Sequence, residues 1–178
     1  AEAAGDIGFP VVVKADSESV IHKSDMGGVA VNLADAAAVR EAVSQMQAKF
    51  PADDLKFLVQ KFTPGGTEVI MGAKAEEGLG HLIMFGVGGI YVEVLKDVVF
   101  NLAPLTSAEA EDMLSEIRLA PLLEGVRGQK GVDRAGLQEV LLRLSQLLAD
   151  LPQIQELDLN PTLAFEDSAC VVDARISL

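Results

Sequence analysis

Apolar and polar residues recur along this chain with two different periods, and the period decides what each stretch can form. Near the start, Phe9-Pro10 leads into Val11, Val12 and Val13, which read as a buried strand carrying Lys14 at or near its end. A polar loop over 15–28 (ADSESVIHKSDMGG) closes on Gly27-Gly28, and Val29 to Leu33 predicts a second short strand. Asp35 is placed to cap a helix over 36–49, where Val39, Val43 and Met46 fall at spacings of four and three, and Pro51 closes it. Leu55 to Phe62 and Thr67 to Lys74 predict two strands, and Pro64-Gly65-Gly66 between them predicts an antiparallel hairpin. Leu82 to Phe85 and Val98 to Leu102 predict further strands on either side of a glycine-rich stretch.

The second half is more helical. Thr106 and Glu109 have capping-box spacing at the head of a helix running to about Arg118. Asp133 opens a longer helix with Leu137, Val140, Leu141, Leu144, Leu147 and Leu148 on one face, and Gln138, Glu139, Arg143 and Gln146 on the other. Pro152 ends it. The segments 157–159, 163–165 and 170–173 predict a closing strand and hairpin, with Asp167-Ser168 as the turn. The class is therefore α/β (α+β) with mixed sheets.

Composition narrows the partners. Lys plus Arg total 14 against 27 Asp plus Glu, a net charge of −13, which argues against nucleic acid and against an anionic membrane surface. Aromatics are 4% and Trp is absent, so platforms for stacking bases are scarce. A single cysteine, Cys170, excludes an internal disulfide framework and a multi-cysteine metal site, and a reducing cytoplasm is the simplest setting. The longest run without charge, 82–92, is broken by glycines and is shorter than the roughly 20 residues of a membrane span. The first ten residues hold no basic region, and a strand that begins so early without an initiator Met suggests a piece of something longer.

Five places could carry chemistry. His22, beside Lys23, Ser24 and Asp25 in a glycine-closed loop, suits a nucleophile that takes up and releases a phosphoryl group; the plain alternative is a surface histidine. Lys14 could meet phosphate oxygens if it points into a cleft, or be a solvated charge. Gly86-Val87-Gly88-Gly89 could bring backbone N–H groups close to an anion, or simply turn the chain. Asp158 and Asn160, two apart, face one side of a strand and, with Asp173, offer oxygens to Mg²⁺. Gln60 to Phe62 and Glu68 could contact a purine edge and a ribose, or form an ordinary hairpin. His81 and Cys170 read as structural. A locally positive cleft around Lys14, Lys23 and Lys61 is expected against the acidic surface.

The strings GFPVVVKADSESVIHKSDMGGVAVNL, GGTEVIMG, MFGVGGIYVEVLKDVVFNLAPL, ELDLNP and VVDARI, in this order, resemble the nucleotide-binding part of the NDP-forming acyl-CoA synthetases. The likeness is greatest to the β subunit or β-like domain of ADP-forming acetyl-CoA synthetase. This resemblance implies an ATP-grasp fold, partial here because the N-terminal part of the smaller subdomain is expected to be missing. Residues 1–62 would be the remnant of that subdomain with the mobile histidine loop, and 63–178 the larger subdomain with the nucleotide and Mg site. It implies a phosphohistidine relay joining acyl-CoA, phosphate and ADP to acid, ATP and CoA.

Residue by residue, the resemblance makes His22 the phosphoryl carrier and Asp158 the acid that steadies it. Lys14 becomes the nucleotide-phosphate lysine, Glu68 the ribose contact, Gln60 and Phe62 the purine hinge, Gly88 and Gly89 the glycine turn, and Asn160 and Asp173 the Mg²⁺ ligands. ATP or ADP and Mg²⁺ are the implied cofactors, and a CoA-binding α subunit or α-like domain the implied partner. Apolar surface uncovered by the missing strands predicts a homo-oligomer of the fragment. A non-catalytic ligand sensor, of the kind fused to protein lysine acetyltransferases, is the alternative.

Overall fold

The computed structural model describes residues 1–17, 27–50, 55–89, 96–126, 128 and 130–178, and it divides into two compact units, Ala1–Pro64 and Gly65–Leu178. The first unit contains α1 (Glu2–Ile7), β1 (Val11–Asp16), β2 (Val29–Leu33), α2 (Ala36–Lys49) and β3 (Lys56–Lys61). Its sheet runs β2-β1-β3 with antiparallel neighbours. Alternation along β1 sends Val11, Val13 and Ala15 into a small core with Ala4, Val39, Met46 and Phe50. Asp35 starts α2 as expected, its Oδ1 accepting from the backbone N–H groups of Ala37 (2.8 Å) and Ala38 (2.9 Å). The short α1, which contributes Ala4, has no periodic signal long enough to be read from sequence.

The second unit is built on β4 (Thr67–Glu76), β5 (Gly80–Val87), β6 (Val98–Leu102), β7 (Glu156–Ala164), β8 (Ala169–Val171) and β9 (Arg175–Ser177). The sheet order is β6-β5-β4-β7-β8, with β9 also pairing with β7, and every neighbouring pair is antiparallel. Three helices, α3 (Ser107–Glu116), α4 (Ala120–Glu124) and α5 (Arg134–Asp150), follow β6. Val69, Met71, Ala73, Ile83, Phe85 and Val87 meet Met113, Leu114, Leu137, Leu141, Leu144 and Leu148 in the larger core. Burying each of these side chains larger than alanine is worth about 1.5–3 kcal/mol. The capping box forms: Thr106 Oγ1 accepts from the Glu109 N–H at 3.3 Å, and Glu109 Oε2 accepts from the Thr106 N–H at 2.7 Å. His81 is buried and donates from Nε2 to the Ile154 carbonyl at 2.7 Å, whereas Cys170 lies exposed on β8.

The expected hairpin across Pro64-Gly65-Gly66 does not form. β3 pairs with β1, and β4 pairs with β5 and β7, so the two strands lie in different sheets and different units. Gly65 (φ 76°) and Gly66 (φ 83°) adopt left-handed backbone, and a methyl at Gly66 would come within 3.0 Å of the Phe165 ring. These glycines serve a linker lying against the second unit, and local sequence cannot distinguish that need from a tight turn. The closing strand also differs: β7 continues through Pro161 rather than stopping at Leu159. Asn160 and Pro161 together oppose Ile70 in a bulge, which tolerates the N–H that proline lacks. Among the described residues, no helix is long and apolar enough to cross a membrane.

Candidate functional site

The larger sheet packs one face on the helices; on its other face Ile70 is buried while Glu68, Lys74 and Asn160 are exposed. Val69, Met71 and Ala73 belong to the core, so Glu68, Ile70, Gly72 and Lys74 occupy the opposite side of β4. On β7, Leu157 is buried in the core and Leu159 packs against it, leaving Asp158 and Asn160 on the side away from the helices. The fold therefore gathers Glu68, Asp158 and Asn160, separated by some ninety positions in sequence, onto one face. Asp158 pairs with Gly72 on one side and Arg175 on the other. A methyl at Gly72 would be 3.8 Å from Asp158 Oδ1, so glycine leaves room for the carboxylate over β4. Asn160 sits in the bulge, and Val172 donates its N–H to the Pro161 carbonyl at 3.1 Å, which draws the chain entering Asp173 beside the Asn160 segment.

Burial pushes the Asp158 carboxyl above the usual carboxylate range; the Arg175 guanidinium opposes this, and the charges of Glu156 and Asp173 add to it. A cavity of about 430 Å³ opens here, lined by Glu156, Asp158, Arg175, Ile176 and Ser177. Arg175 was not singled out in the sequence. Its signal is a basic residue two positions after Asp173, on the strand registered opposite Asp158.

Glu68 and the glycine turn meet directly. The Gly88 N–H donates to the Glu68 carbonyl at 2.7 Å, and a methyl at Gly88 would lie 3.1 Å from Glu68 Cβ. Gly89 has φ 66°, and a methyl there would fall 3.1 Å from Glu68 Oε2. Both positions therefore need glycine, one for close approach and one also for its backbone.

Lys14 and Gln60 belong to the first unit. Lys14 pairs with Leu58 and Val29, and Val12 pairs with Gln60, on the side of the three-stranded sheet opposite Val11 and Val13. Phe62 follows β3, half-buried, with its N–H bonded to the Pro10 carbonyl at 3.1 Å. Lys61 departs from the expected positive cleft. It pairs with Val11, so it takes the other face from Lys14, and its Nζ donates to the carbonyls of Gly8 (2.8 Å) and Phe9 (3.1 Å). Alternation along the strand separates the two lysines. His22 and Lys23 lie outside the described residues.

Asn160 and Asp173 carry hard oxygen donors of the type that Mg²⁺ takes. Among the described residues, no group of three or more His, Cys, Asp or Glu side chains forms a ready-made metal cage. An amide oxygen from Asn160 and a carboxylate from Asp173 leave coordination positions for water and phosphate, as Mg²⁺ prefers.

A family model described as an ATP-grasp domain matches residues 1–178. The chain is a member of the ATP-grasp domain family. Within that family it is 42% identical to the β subunit of ADP-forming acetate–CoA ligase I from Pyrococcus furiosus, over 98% of this chain and 77% of that one. It is 47% identical to the ADP-forming 4-hydroxybutyrate–CoA ligase of Nitrosopumilus maritimus, over 99% of this chain but 26% of the ligase. The chain thus spans about a quarter of such longer relatives. Among solved structures, a Candidatus Korarchaeum cryptofilum dinucleotide-forming acetyl-coenzyme A synthetase superposes with a TM-score of 0.87 at 41% identity, covering 99% of this chain and 80% of that one. That structure holds coenzyme A and Mg-AMPPCP, with a phosphohistidine segment pointing towards its nucleotide binding site. The ATP-grasp fold expected from the resemblance is the fold found.

Proposed function

We propose that this ATP-grasp chain is the nucleotide-binding, phosphoryl-transferring part of an ADP-forming acyl-CoA ligase, taking part in acyl-CoA + ADP + phosphate = acid + ATP + CoA. The observation that carries the reading is the convergence of Glu68, the Gly88-Gly89 turn, Asp158 and Asn160 on the sheet face away from the helices, with Asp173 beside it. Phosphoryl transfer asks a protein chiefly for positioning and charge neutralisation, and the carboxylates and amide of this face would supply the second by holding a divalent cation.

In this reading Glu68 contacts the ribose, Gly88 and Gly89 admit the nucleotide close to backbone, Lys14 contacts phosphate, and Gln60 and Phe62 contact the purine. Asn160 and Asp173 would hold Mg²⁺, which when bound neutralises phosphate charge. His22 accepts and releases the phosphoryl group through a ring nitrogen, and Asp158 orients the imidazole by accepting from its other N–H. The neutral imidazole needed for attack is available at pH 7, because an unperturbed histidine has a pKa of about 6.5. A CoA-binding α subunit or α-like domain supplies the acyl chemistry, and a reducing cytoplasm suits a chain with one cysteine. Exposed Val31, Leu58, Phe100 and Leu102 support self-association of the isolated chain, and a monomer in light scattering at high concentration would count against it. The sensor alternative finds no support in the relatives named above, which are ligases and a synthetase.

Calorimetric titration with Mg-ADP is the direct test. Binding by the wild-type chain that is lost in Asp173→Ala and in Asn160→Ala supports the reading, and no binding by the wild type removes it. With the α portion supplied, ATP should place an acid-labile phosphoryl group on His22. Normal turnover by His22→Ala would defeat the relay.

A further inference from the structure

One buried carboxylate plays no part in the proposed chemistry. Asp97 is 7% exposed, and its two oxygens accept from consecutive backbone N–H groups, Oδ1 from Arg118 at 2.9 Å and Oδ2 from Leu119 at 2.8 Å. These donors lie between the end of α3 and the start of α4, where helical geometry leaves N–H groups without partners. The α4 N-cap, Leu119, provides no side-chain cap, so Asp97, at the head of β6, does this work.

The backbone around Asp97 is also unusual. Lys96 takes a left-handed φ of 48°, and the Val98 N–H returns to the Lys96 carbonyl at 3.1 Å, closing a three-residue turn centred on Asp97. A non-glycine residue in that region is held there by its surroundings. The turn abuts the start of the glycine stretch: Gly86 pairs with Val98, and a methyl at Gly86 would fall 2.7 Å from the Asp97 carbonyl and 2.8 Å from Val98 Cγ1. Two residues on, Gly88 is bonded to Glu68. The Gly86–Gly89 stretch is therefore clamped from both sides, by Glu68 on β4 and by Asp97 at the head of β6.

We propose that Asp97 is a positioning residue for the Gly86–Gly89 turn: anchored through its carboxylate to the α3–α4 corner, it sets where the turn's backbone lies, and so tunes nucleotide affinity without touching nucleotide. The affinity half rests on the proposed function above; the positioning half does not. Asn at this site keeps the shape but loses the charge, and turns an NH₂ toward a backbone N–H.

Two measurements on the full chain test this. Asp97→Asn should speed amide hydrogen exchange at Gly88 by about tenfold or more, the scale of losing one hydrogen bond to a charged group, with Met71 in β4 unchanged. Its Kd for Mg-ADP should rise by a similar factor. Gly86→Ala, which pushes on the Asp97 carbonyl from the other side, should reproduce both effects and carries the test if Asp97→Asn does not fold. Leu148→Ala, a core truncation in α5, serves as the control: it should lower the melting temperature and leave Kd in place. Unchanged Gly88 exchange and unchanged Kd in both test variants, with only a lower melting temperature, would overturn the proposal. If the wild type binds no Mg-ADP, the nucleotide reading fails, and Gly88 exchange still decides whether Asp97 holds the turn.

Discussion

The two units solve the same problem, a sheet with helices on one face, with different amounts of material. In Ala1–Pro64 a three-stranded sheet is covered chiefly by α2, and its buried cluster holds Ala4, Val11, Val13, Ala15, Val39, Met46 and Phe50. In Gly65–Leu178 a six-stranded sheet carries α3, α4 and α5, and the core continues through Phe85, Met113, Leu141 and Leu148 into Ile154. Stability grows with the apolar area a unit removes from water, so the larger core is expected to hold its unit more firmly than the smaller one does. The candidate residues divide between the units. Glu68, the glycine turn, Asp158 and Asn160 sit on the well-supported sheet, while Lys14 and Gln60 sit on the thin one. Rigid scaffolding is what a charge-neutralising site needs most.

The sharpest way to break this contrast is to remove packing from each core in turn. Phe85→Ala should destabilise the larger unit by about 3–5 kcal/mol in urea unfolding, because Phe85 is fully buried in its core. Met46→Ala should cost about 2–3 kcal/mol and act locally, raising hydrogen exchange across β1 and α2 but not at Met71 or Phe85. Equal loss of protection at Met71 would show that the two units unfold as one, and the contrast would fail. Gly66→Ala tests the chain that enters the larger unit: positive φ and the nearby Phe165 ring predict a loss of about 1–3 kcal/mol in thermal unfolding. A neutral effect there would mean that the linker backbone relaxes freely.

The smallest effect lies at the head of α3. Thr106→Ala removes the cap and should cost about 1 kcal/mol at neutral pH. Hydrogen bonds from the Thr106 side chain and then its backbone N–H hold the Glu109 carboxyl below its ordinary value of 4.5. A carboxylate whose pKa is depressed by folding adds stability above its unfolded value and loses it as pH falls through its folded value. The gap in melting temperature between wild type and Thr106→Ala should therefore persist at pH 7 and narrow below about pH 4.5. A gap independent of pH would detach Glu109 from the cap.

Several local features could be read without a structure. Asp35 and the spacing of Val39, Val43 and Met46 give α2, and Thr106 with Glu109 gives α3. Strands β2 and β6 fall on the expected residues. The hairpin failed for an instructive reason: Pro64-Gly65-Gly66 permits positive φ, and a turn and a linker make the same demand on those residues. Lys61 failed because a lysine in a cleft and a lysine satisfying the carbonyls of Gly8 and Phe9 look alike until strand register is known. Arg175 and Asp97 were passed over because neither belongs to a local pattern; one gains meaning from its register opposite Asp158, the other from two N–H groups more than twenty positions away.

Sequence alone determined the periods, the caps, the charge balance and the ordered motifs that mark the family, because each depends on residues within a few positions of one another or on simple composition. Tertiary structure alone decided which strand lies beside which. That choice puts Glu68 against Gly88, turns Lys61 away from Lys14, and sets Asp97 between a sheet and a helix corner. The physical reason is that cross-strand pairing joins distant residues through backbone hydrogen bonds common to every sequence, so the partner is selected by the packing of the whole core.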